Sequence, residues 1–152
     1  MAERDPGNIE KQAARRPVDV DKEGARRPVD VAVGVLIDAE GRFLITSRPE
    51  GKVYAGHWEF PGGKCEPHET HAEALRRELH EELEIVAAVG SLVHAVTHVY
   101  PERTVELHFY ACSYTGEPRP MIGQQMRWVR RDELRTLPFP DADADLIRLL
   151  TT

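Results

Sequence analysis

The sequence predicts an α/β (α+β) sandwich of short strands and helices. Three observations carry this. β-Branched and aromatic runs recur between Gly and Pro from Val29 onward. Residues 70–83 place apolar side chains at helical spacing, and Asp141 to Leu150 does so again at the end.

Taken in order, residues 1–27 are polar, charged and poor in large apolar side chains. That composition predicts a flexible tail ahead of one domain over 28–152. The tail holds a duplication, ARRPVDV at 14–20 and again at 25–31. Only the second copy runs on into a strand, and two copies are too few for a repeat architecture, so it reads as a local duplication. VDVAVGVLID is the first strand, AEG at 39–41 its turn, and RFLITSR the returning strand. A loop with Pro49, Gly51 and Gly56 leads to WEFPGGK, which ends in a tight turn at Gly62 and Gly63. Over 70–83, Thr70 supplies an N-cap, and Ala72, Leu75, Leu79 and Leu83 form the inward stripe. Strands follow near 85–100 and 104–114, joined by YPER, and then comes MRWVR. Asp132-Glu133-Leu134 opens a short helical turn, and the final helix carries Leu146, Ile147, Leu149 and Leu150.

Composition narrows the function. With 41% hydrophobic and 30% charged residues and a net charge of -6, the chain reads as a water-soluble globule. It lacks the basic excess that direct nucleic-acid binding or an anionic membrane surface demands. No apolar run approaches the roughly 18 residues of a membrane span. The N-terminus does not read as a secretory leader, and Cys65 and Cys112 offer no disulfide framework, so a cytoplasmic protein is expected. The seven histidines form no helical zinc pair, and for His57 and His80 surface positions are expected over a place lining the cleft.

ELHEELE, residues 78–84, crowds four carboxylates into one helical segment. At 100° per residue, Glu78, Glu81 and Glu82 fall within an arc of about 100° beside the apolar stripe. They form either a solvated face partnered by Arg76 and Arg77, or a set of hard oxygen ligands for Mg²⁺ or Mn²⁺. The preceding turn favours the second reading. Gly62-Gly63 lets backbone approach a phosphate or lend a carbonyl, Lys64 adds a point charge, and Glu69 stands near the helix start. A glycine turn, a lysine and a carboxylate helix are the parts of a metal-assisted phosphoryl site.

Gly63, five residues, Glu69, seven residues, Arg77-Glu78-Leu79-His80-Glu81-Glu82 and then Ile85 resembles the Nudix box, Gly-x5-Glu-x7-Arg-Glu-U-x-Glu-Glu-x-Gly-U with U a bulky aliphatic. WEFPGGK and GQQMRWVRRDELRTLPFP are similar to the MutT-like branch of that family, the 8-oxo-dGTP diphosphatases. The resemblance implies a mixed β-sheet between helices with the box as a loop-helix-loop. It implies a Mg²⁺-dependent (or Mn²⁺-dependent) hydrolase that cleaves a nucleoside triphosphate to a monophosphate and pyrophosphate. By the same resemblance Glu78, Glu81 and Glu82 hold the metal, with the Gly62 carbonyl and Glu69 at or near it. Glu78 takes a proton or positions the water, Arg77 orients Glu78, and Lys64 faces the phosphates. Phe60, Arg103 and Asp143 match positions that contact the purine. Alternatives are another nucleotide derivative such as ADP-ribose, or a weakly catalytic nucleotide-binding module.

Two departures from the family pattern matter. Glu84 replaces the box glycine, which predicts an altered turn and some lost stability. Ile122 stands before Gly123-Gln124 where the MutT-like pattern commonly has a glutamate, so that ligand is dispensable, or Glu102, Glu106 or Gln124 compensates, or activity falls.

Overall fold

The computed structural model describes residues 27–47 and 56–152. The expected tail, apart from Arg27, the first ARRPVDV copy and the loop through Pro49 and Gly51 lie outside these residues.

Strands β1 (Val29–Leu36), β2 (Phe43–Ser47), β3 (Trp58–Glu59) and β4 (Gly62–Lys64) precede helix α1 (His71–Leu83). Then come β5 (Val86–Tyr100), β6 (Arg103–Thr115), β7 (Met126–Val129), 3-10 turns at Arg131–Thr136 and Asp141–Asp143, and helix α2 (Ala144–Leu150). One sheet runs β4-β1-β6-β5 and the other β3-β2-β7. β1 and β6 pair in parallel while their other neighbours are antiparallel, so the sheet is mixed as expected. A bridge between Ile37 and Phe43 links the two sheets at the β1–β2 turn.

Alternation along the strands divides the apolar residues between two layers. Val31, Val33, Phe43, Ile45, Leu107 and Phe109 pack with Leu146 and Leu150 of α2. Ala32, Leu36 and Leu44 pack on the other side against Leu75, Leu79 and Leu83 of α1. The sheet therefore lies between helices.

Helix α1 begins where the sequence places it. Thr70 Oγ1 accepts from the Glu73 N–H at 3.1 Å and Glu73 Oε1 accepts from the Thr70 N–H at 2.9 Å, a reciprocal cap. Its buried face differs from expectation. Ala74, Glu78 and Glu82 form an inner row beside Leu75, Leu79 and Leu83, and Ala72 is only half-buried. The tight turn expected at Gly62 and Gly63 is instead strand β4, paired with β1, and its backbone at Gly63 lies against the Glu78 carboxylate.

The turn after α1 also corrects an expectation. Glu84 adopts φ 60° and ψ 34°, the left-handed C-cap a glycine would take, and its N–H donates to the His80 carbonyl at 3.0 Å. The usual turn is kept and the residue bears the strain. The last helical carbonyls find partners in the loop before β7: Arg119 N–H donates to Leu83 O at 2.9 Å and Met121 N–H to Glu82 O at 3.0 Å. The C-terminal helix, expected from Asp141, starts as a 3-10 turn and becomes α-helical at Ala144.

Candidate active site

Glu78 is 0% exposed and Glu82 2%, while Glu81 on the same helix is half-buried. Burying two carboxylates is costly unless cations or donors meet them. Gly63 makes the burial sterically possible: a Cβ there would overlap the Glu78 carboxylate. Gly62 is equally constrained, since a Cβ would strike the Ala32 carbonyl of β1. Gly63 thus brings the β4 backbone onto α1, and Gly62 brings it close against β1.

Arg77 ties this corner together. Its Nε and Nη2 donate to the two Glu69 oxygens at 2.7 and 2.8 Å, and Nη2 also reaches the Lys64 carbonyl at 3.2 Å. Nη1 lies 3.4 Å from Glu78 Oε2 and 3.5 Å from Glu81 Oε1, which holds those two carboxylates within about 7 Å of each other. The hydrogen-bonded Glu69 carboxylate pushes the Arg77 pKa above its already high ordinary value, so the guanidinium stays charged. Glu69 Oε1 also accepts from the Glu66 N–H at 2.8 Å. Arg77 is therefore fixed chiefly by Glu69, with Glu78 and Glu81 at longer range. Its single charge is divided among three carboxylates, leaving a site with hard oxygen donors suited to a divalent cation.

Register places the remaining residues. Gly63 pairs with Ala32, so it faces α1; Lys64 pairs with Val31, so its side chain leaves from the opposite face. On that face Val33, Glu59, Phe60, Tyr100, Leu107, Phe109 and Asp143 line a narrow pocket. Phe60 stacks on Phe139 at 5.4 Å and meets the edge of Phe109 at 6.4 Å, so it is wall and core at once. Asp143 is 7% exposed and makes no capping hydrogen bond to α2, which removes the cap as its purpose. Arg103 pairs with Tyr100 in the β5–β6 hairpin, on the pocket face at its outer end. Gly63 lies three positions after Phe60, at most about 11 Å of chain. Pocket and carboxylates are close enough for one nucleotide to touch both.

Gln124 is 7% exposed and fully engaged: Oε1 accepts from the Ile122 N–H at 2.9 Å, and Nε2 donates to the Glu82 carbonyl at 3.0 Å. It anchors its loop to α1. Cys65, adjoining the site, is pushed up to about 12 by burial and then by the neighbouring Asp30 carboxylate, which rules out a thiolate nucleophile near neutral pH.

The NUDIX domain family matches residues 32–149 of the chain. The chain belongs to the Nudix hydrolase family. An 8-oxo-dGTP diphosphatase of Haemophilus influenzae is 39% identical over 121 residues, 79% of this chain and 89% of that protein. A CTP pyrophosphohydrolase of Escherichia coli is 35% identical over 116 residues, 76% of this chain and 86% of that one. A solved MutT structure, from work on the Aliivibrio salmonicida and Vibrio cholerae proteins, superposes with a TM-score of 0.72 at 28% identity, covering 82% of this chain and 98% of its own. The hydrolase is thus MutT-like in sequence and fold. Among the described residues no helix is long and apolar enough to cross a membrane.

Within this Nudix hydrolase, sequence reasoning missed Glu59, Tyr100 and Phe109 as pocket residues. Phe109 was reachable, because it shares strand parity with Val105 and Leu107. Glu59 and Tyr100 carry no such signal, since their position follows from a hairpin and a crossover.

Proposed function

We propose that the chain is a Mg²⁺-dependent nucleoside triphosphate pyrophosphohydrolase that converts 8-oxo-dGTP to 8-oxo-dGMP and pyrophosphate. The observation that carries this is the burial of Glu78 and Glu82 on α1, with Gly63 of β4 against Glu78, within one nucleotide's reach of an aromatic pocket. The similarity to 8-oxo-dGTP diphosphatases supports the same substrate.

Glu78, Glu81 and Glu82, with the Gly62 carbonyl, would hold the cation. When bound, it lowers the pKa of a water and neutralises charge on the departing phosphate. Glu78 accepts a proton at a carboxylate oxygen or orients the water. Glu69 has both oxygens on Arg77, so we assign it a positioning role, with Arg77 in turn setting Glu78 and Glu81. Lys64 binds phosphate. Phe60, Tyr100 and Phe109 hold the base, and Asp143 accepts hydrogen bonds from base N–H groups. Arg103 closes the pocket mouth. Ile122 offers no ligand and Gln124 is committed to its loop, so neither supplies the glutamate found in the MutT-like pattern. Removing an oxidised nucleotide from the precursor pool would serve DNA replication and repair.

The similarity to a CTP pyrophosphohydrolase favours CTP as a second reading. Pyrophosphate release from 8-oxo-dGTP, dGTP, CTP and ADP-ribose in Mg²⁺ separates the readings. Preference for 8-oxo-dGTP supports the proposal. A higher kcat/KM for CTP or ADP-ribose replaces it, and binding without turnover makes the chain a nucleotide-binding module.

A further inference from the structure

A second cluster of ligand-bearing side chains lies on the α1 face of the sheet. Asp30 of β1, His108 of β6 and His71, the first residue of α1, bring one carboxylate oxygen and two ring nitrogens within 4.8 Å of one another. His71 is held from both sides: Nε2 lies 2.8 Å from Asp30 Oδ2 and Nδ1 lies 2.6 Å from the Tyr110 hydroxyl. Its ring stands 4.2 Å from that of His108. Both histidines are half-buried.

The other half of the cluster is less settled. Asp30 Oδ1 and His108 Nδ1 face each other at 3.3 Å, both shielded from solvent, and neither makes a hydrogen bond among the described residues. Buried polar atoms are ordinarily satisfied. A separation of 3.3 Å without hydrogen-bond alignment matches another geometry. Two ligands each about 2.0–2.1 Å from one tetrahedral cation stand about 3.3 Å apart.

We propose that Asp30, His71 and His108 form a second metal site, for a borderline transition-metal cation such as Zn²⁺. Two imidazoles and one carboxylate suit Zn²⁺ or Co²⁺, whereas Mg²⁺ prefers an all-oxygen shell. Tyr110, bonded to Nδ1, orients His71 so that Nε2 is its ligand atom. His71 and Glu78 are seven residues apart on α1, about 10 Å of helix rise, so one ion cannot serve both clusters. The positive end of the helix opposes a cation here, and the Asp30 carboxylate offsets that. A cation at this point ties the first turn of α1 to β1 and β6, steadying the helix that carries the glutamates.

The test uses the untagged full chain in excess Mg²⁺, with Co²⁺ followed by its visible absorption and Zn²⁺ by the shift in Tm. The site predicts one equivalent of Co²⁺ displaced by Zn²⁺, and a Zn²⁺-dependent rise in Tm of several degrees. Both effects should disappear in His108→Ala and Asp30→Asn and persist in Glu78→Gln. His108→Gln, which keeps bulk and polarity without the imidazole, decides the matter should His108→Ala not fold. The proposal is overturned if Co²⁺ binding survives the His108 variants, if Glu78→Gln abolishes it, or if micromolar Zn²⁺ does not bind.

Discussion

On the α1 face of the sheet, carboxylates stand at fixed positions of one capped helix, with His71 of that helix and His108 of β6 beside the sheet. On the α2 face the same strands present Phe60, Phe109, Val33 and Leu107, with Asp143 supplied by a 3-10 turn. The first face has little freedom: Arg77 grips Glu69 by two bonds, and the β4 backbone lies against Glu78. The second is built from strand side chains and a short irregular connection, where substitution alters shape without moving the helix. The contrast teaches a division of labour, with the chemistry proposed for the α1 side and the choice of nucleotide for the pocket side. Changes on the first should depress turnover of every substrate alike, and changes on the second should reorder them.

The largest effect is expected at Gly63. Gly63→Ala drives a methyl into the Glu78 carboxylate, and a displacement near 1 Å at a reacting centre costs about 100-fold in rate. Steady-state kinetics should show that loss for all substrates, with about 1–3 kcal/mol of stability lost to overpacking. Arg77→Lys comes next. It keeps the charge but loses the two-pronged grip on Glu69, and roughly 10- to 100-fold in kcat/KM should follow as for other orienting partners of a metal site. Asp143→Asn tests the other face. It should change the ratio of kcat/KM between purine and pyrimidine triphosphates by about 10-fold, corresponding to about 1.4 kcal/mol, and leave the better substrate's kcat nearly intact. Equal losses for every nucleotide would blur the proposed division.

Glu84→Gly should move stability alone. The left-handed conformation costs a non-glycine residue about 1 kcal/mol, so the variant should melt a few degrees higher with unchanged kinetics. This substitution restores the box glycine, and a loss of activity would show that Glu84 has a use beyond the turn.

Much of the fold was legible because its signals are local. Thr70 and Glu73 mark the start of α1, Leu75, Leu79 and Leu83 its inward row, and YPER the hairpin between β5 and β6. The box spacing likewise singled out Gly63, Glu69, Arg77 and the glutamates, and the family match covers them. Helical angle alone could not show that Glu78 and Glu82 are buried, because burial depends on what packs against that row, as β4 does against Glu78. The Arg77–Glu69 pairing was hidden by an ambiguity of reach, since Glu69, Glu78 and Glu81 all lie within range of one guanidinium. Asp30, His71 and His108 meet only after β1 and β6 pair in parallel and α1 docks on them, so no motif spacing connects them. The turn at Glu84 kept its form because the helix end is also held by the Arg119, Met121 and Gln124 bonds.

The most direct test of the central claim is Glu78→Gln, read for pyrophosphate release and thermal stability together. The substitution keeps the shape of the buried side chain and removes its charge. If Glu78 belongs to a cation-holding site, release from 8-oxo-dGTP in Mg²⁺ should fall by about 100-fold or more. Tm without metal should hold or rise, because a buried charge has been relieved. Turnover within a few-fold of the parent, or an unfolded variant with no gain from charge removal, would contradict the account.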